Sequence, residues 1–126
     1  MDNDIFEQFI VQLQRYVRER LIPAEKEILE TDVIPDPILA EMRDMGLFGL
    51  TMPEEYGGAG LPLRAASIIL EEIHAEGCSA AAAHAQMYIM GTLLRHGSQE
   101  QKRRYLPKIA SGELRLQAFG VTEPTT

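Results

Sequence analysis

Apolar residues recur at helical spacing through most of the chain, and prolines and glycines mark where that spacing breaks. In the first stretch, residues 4–29, Phe6, Phe9, Ile10, Leu13, Tyr16 and Val17 fall on one face, while Glu7, Gln8, Gln12, Arg15 and Arg18 fall on the other. Pro23 lacks an amide donor and its ring crowds the preceding turn, so the helix is expected to kink or restart there and to continue as a second piece. Val33-Ile34-Pro35 reads as extended chain. Asp36 as cap and Pro37 at the first helical position predict a second helix, with Ile38, Leu39, Met42 and Met45 inward and Gly46 as its stop. Residues 52–60 carry too much proline and glycine for regular structure and form a loop.

Pro62 predicts the start of a third helix that buries Ala66, Ile69, Leu70 and Ile73 and ends at Gly77. A fourth, with Ser79 as its cap, is apolar nearly all round, which predicts burial on more than one side and a central place in a bundle. Ser98 and Gln101 have the spacing of a capping box and open a fifth helix, which Pro107 is expected to split into two short pieces. After Ser111-Gly112 the period changes to two, with Leu114, Leu116 and Ala118 on one side and Arg115, Gln117 and Phe119 on the other, as in a strand. One strand cannot satisfy its own hydrogen bonds, so the expectation is that partner strands normally follow Thr126. The pattern predicts an all-α fold, an orthogonal or up-down bundle of about five or six helices, with one strand appended.

With 126 residues the chain suffices for one domain. Its 45% hydrophobic and 25% charged content fits a folded globular protein. The 19 acidic against 12 basic residues give a net charge of -7, which argues against a nucleic-acid partner. Cys78 has no second cysteine to pair with, in keeping with a reducing compartment, and no Cys/His cluster has metal-ligand spacing. The acidic start Asp2-Asn3-Asp4 is unlike a signal peptide, and no apolar run reaches the roughly 20 residues that span a bilayer. A cytoplasmic protein is expected.

Catalytic chemistry is scarce. The glycines of Tyr56-Gly57-Gly58-Ala59-Gly60 do not follow a strand, as a dinucleotide-binding turn requires. Glu54-Glu55 and Glu71-Glu72 read as solvated surface. His84, on the apolar fourth helix, reads as a hydrogen-bonded core histidine or as a base, and Met87 and Met90 as core fillers or as the lining of an adaptable pocket.

Three strings in order change this picture: Pro53-Glu54-Glu55-Tyr56-Gly57-Gly58-Ala59-Gly60, Tyr105-Leu106-Pro107-Lys108-Ile109-Ala110-Ser111-Gly112-Glu113, and Phe119-Gly120-Val121-Thr122-Glu123-Pro124. Together they resemble the acyl-CoA dehydrogenase family over nearly the whole chain. The resemblance implies an N-terminal helical domain over residues 1–112 and the start of a middle β-domain over 113–126. It implies FAD as cofactor, approached by Phe119, Val121 and Thr122, with the threonine donating a hydrogen bond to the flavin. The implied reaction is α,β-dehydrogenation of an acyl-CoA thioester, in which a carboxylate takes the α-proton and the β-hydrogen leaves as hydride. No residue of this chain corresponds to that base. Ala80, Ala81, His84, Met87 and Tyr88 are implied as wall of the acyl pocket, electron-transferring flavoprotein as acceptor, and a homodimer or homotetramer as assembly. A non-catalytic helical interaction module and a flavin-dependent oxidase or other-chemistry relative remain as alternatives.

Overall fold

The computed structural model describes residues 2–118 and 120–125. Among the described residues six α-helices form: α1 (Asn3–Tyr16), α2 (Ile22–Thr31), α3 (Asp36–Asp44), α4 (Leu63–Ala75), α5 (Ala81–His96) and α6 (Gln99–Ala110). The first break is gentler than a restart. Between α1 and α2 the chain makes a π turn, Val17–Leu21, and Pro23 follows in the first turn of α2. The wider turn accommodates a residue that neither donates a bond nor tolerates a carbonyl behind its ring. Leu13, Val17 and Leu21, four apart, therefore stay on one buried line through the junction.

The α3 cap differs from expectation by one residue. Pro35 is the cap, Asp36 is the first helical residue, and the Asp36 side chain makes no capping bond. Its charge still faces the positive end of the helix dipole. At the other end Gly46, at φ 75°, donates to Arg43 O (2.8 Å) and Leu47 donates to Met42 O (3.0 Å). This is the Schellman pair of bonds, closed by two buried apolar side chains, Met42 and Leu47. Residues 47–62 then form a loop whose Leu47, Phe48, Leu50 and Met52 are as buried as any helical residue.

The main core joins Leu47, Phe48 and Leu50 to α1, α3, α4 and the start of α5. A smaller core, Met52, Met90, Leu106 and Ile109, joins α5 to α6, and Met87 packs against both. The capping box that opens α6 forms as the spacing predicts: Gln101 N donates to Ser98 Oγ at 3.1 Å, and Ser98 N donates to Gln101 Oε1 at 2.8 Å. Ser98→Ala is expected to lower stability by about 1 kcal/mol, read by urea unfolding.

Pro107 does not split α6, which runs unbroken to Ala110. Proline removes one bond in the last turn, and burial of Leu106 and Ile109 on either side holds the helix together. Nor is α5 enclosed. It buries Ala82, Ala83, Gln86 and Met90, but Ala81, His84, Tyr88, Thr92 and Arg95 form an exposed stripe. Apolar composition predicted more packing neighbours than this chain supplies. Finally, no strand forms among the described residues after Gly112, because a ladder needs a partner. The alternation fails there too: Leu114 and Gln117 are the half-buried residues, while Arg115, Leu116 and Ala118 are exposed.

Candidate functional site

The exposed stripe of α5 carries the residues that sequence singled out. Side chains three and four apart share a helix face, so His84 and Tyr88 meet, ring centroids 5.0 Å apart and planes at 62°, an edge-to-face contact. Beside them the end of the 47–62 loop and the start of α4 leave an open groove of about 510 Å³, lined by Thr51, Leu61, Leu63, His84, Met87, Tyr88 and Gly91. Gly91 widens it, since nothing stands within 4 Å of where its Cβ would be. The walls are apolar apart from a hydroxyl, an imidazole and a phenol. Such a lining accepts a hydrocarbon chain and offers few groups to orient it. No carboxylate lines the groove, so it contains no candidate for a proton-abstracting base.

Of the five residues implied as pocket wall, the groove gathers His84, Met87 and Tyr88. Ala80 is not part of that lining: it is fully buried at the α5 cap, packed into the main core. Ala81 is exposed on the same helix but does not reach the groove. His84 is exposed, so the core-histidine reading is overturned. Thr51, Leu61, Leu63 and Gly91 were missed, because the loop's approach to α5 is a long-range packing event without a local signal.

Val121 and Thr122 lie elsewhere, on the segment that leaves α6. Val121 is 66% exposed and Thr122 is exposed, while Phe119 is outside the described residues. The segment is tied down before it reaches them. Leu114 N donates to Lys108 O at 3.0 Å, Gln86 Nε2 donates to Leu114 O at 3.0 Å and to Ile109 O at 3.3 Å, and Gln117 Nε2 donates to Ala82 O at 3.2 Å. A threonine hydroxyl and an exposed valine suit one edge of a flavin ring in their chemistry, donor and apolar contact together. Enclosure is not supplied by these residues, since neither lines any cavity described above.

Electrostatics single out no further reactive group. Burial, then the charge of Glu41 and a hydrogen bond to it, pushes the Tyr16 phenol well above its usual range, so it stays neutral. Arg20 grips Glu41 with Nε at 3.0 Å and Nη2 at 2.8 Å, fastening the π turn to α3. Burial, then Glu25 and Glu76, raises the Cys78 thiol, which leaves it a poor nucleophile. Among the described residues, no helix is long and apolar enough to cross a membrane.

A bundle of this kind with a tethered exit segment is a helical domain. Residues 4–113 match the family model of the acyl-CoA dehydrogenase N-terminal domain. Glutaryl-CoA dehydrogenase of Desulfococcus multivorans is 35% identical over 90% of this chain and 30% of its own length. The mitochondrial isovaleryl-CoA dehydrogenase of Oryza sativa subsp. japonica is 36% identical over 98% of this chain and 31% of its own. Among solved structures, a glutaryl-CoA dehydrogenase from Mycobacterium smegmatis in complex with FADH2 superposes with a TM-score of 0.67 at 22% identity, over 90% of this chain and 29% of that one. The chain belongs to the acyl-CoA dehydrogenase family and carries its N-terminal helical domain. It spans about 30% of the length of these relatives.

Proposed function

We propose that this chain acts as the N-terminal part of an FAD-dependent acyl-CoA dehydrogenase, which carries out α,β-dehydrogenation of an acyl-CoA thioester. The family match over residues 4–113 carries the reading. In it, residues 1–112 form the helical domain and 113–126 open a second, β-rich one. FAD supplies the hydride-accepting chemistry. This chain's own residues would bind and orient: the Thr122 hydroxyl would donate a hydrogen bond to the flavin, Val121 would pack beside it together with, by the family resemblance, Phe119, and the α5 face would form wall against the acyl group. A preorganised donor at that edge stabilises charge as it arrives, which is why a threonine is favoured there. No residue of this chain is assigned the proton-abstracting role. Electron-transferring flavoprotein is the acceptor in this reading, the assembly is a homo-oligomer, and a reducing compartment such as the cytoplasm suits the lone thiol of Cys78.

The test is the gene product that carries this chain, purified and examined for bound flavin. A yellow protein whose flavin bleaches under anaerobic acyl-CoA, and recovers with electron-transferring flavoprotein, supports the proposal. A colourless protein that FAD cannot reconstitute overturns it. In the same protein Ala81→Leu adds bulk to an exposed position of α5. It is expected to shift kcat/KM between long or branched and short acyl-CoA substrates by roughly tenfold, the size of one or two methylene contacts. Unchanged ratios across chain lengths would remove Ala81 from the acyl wall.

A further inference from the structure

Gln86 is the one buried polar side chain among the described core residues, and it is wholly buried. A carboxamide in an apolar helix face is costly unless it is bonded, so its partners show what it is for. Both belong to the far side of the α5–α6 junction. Ile109 O, one of the last carbonyls of α6, also accepts from Gly112 N at 3.1 Å, and Leu114 O belongs to the segment that leaves the helix. Gln86 thus adds a donor at the end of a neighbouring helix and holds the chain beyond it with the same amino group. Only Nε2 is bonded; Oε1 is buried without a partner among the described residues, and the amide keeps this orientation because a flip would set Oε1 against two carbonyl oxygens. Gln117 returns the contact, donating to Ala82 O one turn earlier on α5.

We propose that Gln86 and Gln117 form a two-amide clasp that fixes the exit segment along α5, and that Gln86 is thereby a positioning residue for Val121 and Thr122. The second half rests on the flavin reading above; the first does not. A clasp built from α5 ties the flavin-facing segment to the helix that carries the acyl-facing stripe, so the two contacts share one rigid support.

The clasp is read by hydrogen exchange at the Leu114 amide, which donates to Lys108 O and opens with the segment. Gln86→Leu is expected to lower its protection about tenfold, the worth of two hydrogen bonds, with the amides of α4 unchanged. Gln117→Ala, at a half-buried site where the fold is expected to survive, is expected to lower it by a smaller factor and decides the matter if Gln86→Leu fails to fold. Gln86→Glu adds a signature that a cavity would not give. Its protonated carboxyl can donate to one of the carbonyls, whereas the carboxylate meets two oxygens and is repelled, so its folded pKa is raised. Protection in this variant is therefore retained at low pH and lost as pH rises, after correction for intrinsic exchange rates. An undiminished Leu114 amide, an equal loss in α4, or a pH-independent Gln86→Glu overturns the clasp.

In the gene product that carries this chain, Gln86→Leu is expected to weaken FAD retention by roughly threefold or more. Unchanged retention overturns the positioning role. A parent protein that never holds FAD sinks the flavin reading instead, while exchange at Leu114 still decides the clasp.

Discussion

Gly58→Ala is expected to destabilise the fold by about 3 kcal/mol or more, enough to leave much of the chain unfolded at moderate urea. A Cβ on Gly58 would stand 2.1 Å from Met52 O and 2.4 Å from Met52 Cβ. The first of these is backbone and cannot swing aside. The same carbonyl accepts from Gly60 N at 2.8 Å, and the neighbouring bonds Ala59 N to Gly49 O and Leu61 N to Leu50 O bind the two arms of the loop together. Pushing Met52 away breaks that set and lifts a fully buried methionine out of the smaller core. Gly91→Ala is the control: with nothing within 4 Å of the new methyl, it is expected to stabilise α5 by about 0.5–1 kcal/mol. Urea unfolding of the pair separates close backbone approach from helix propensity. Equal effects of one sign would sink the account.

Phe48→Ala is the second large effect, an expected loss of about 3–5 kcal/mol with the slope of the urea transition preserved. Phe48 is 1% exposed and lies in the main core with Leu47 and Leu50. Its ring also fills the space beside Gly112, where a Cβ would meet Cδ2 at 2.9 Å and Cε2 at 3.0 Å. Gly112, at φ 73°, turns the chain out of α6, so Phe48 supports the start of the exit segment as well as the core. The variant is accordingly expected to lose protection at Leu114 beyond what global destabilisation explains. A loss under 1 kcal/mol would mean that the site collapses around the missing ring.

Much of the helical plan was legible in the sequence because its signals are local. Apolar spacing in α1, α3 and α4, the box Ser98-Gln101, and the stops at Gly46 and Gly77 each act within a turn or two of chain. Ile38, Met42, Ala66, Ile69 and Ile73 are buried as their spacing predicts. The errors came where a residue's neighbours are distant. Pro107 looked like a breaker, but two buried side chains around it hold α6 intact. His84 looked like core because its neighbours in sequence are apolar, yet its helix turns that side outward. Gln86 drew no notice, although a lone amide within Ala-Ala-Ala-His-Ala-Gln-Met was a signal that a distant carbonyl needed a donor.

The amino-acid sequence by itself determined the helices, most of their ends, and through three ordered strings the family. Spacing, capping and glycine stops are set by backbone geometry within a few residues, and they survive whatever the helices pack against. Only the tertiary structure decided which side of α5 is covered, that the loop's Thr51 and Leu61 meet Met87 across a groove, and that Gln86 holds the segment beyond α6. Those outcomes depend on contacts between residues tens of positions apart, where burial of the whole chain, and not local preference, selects the partner.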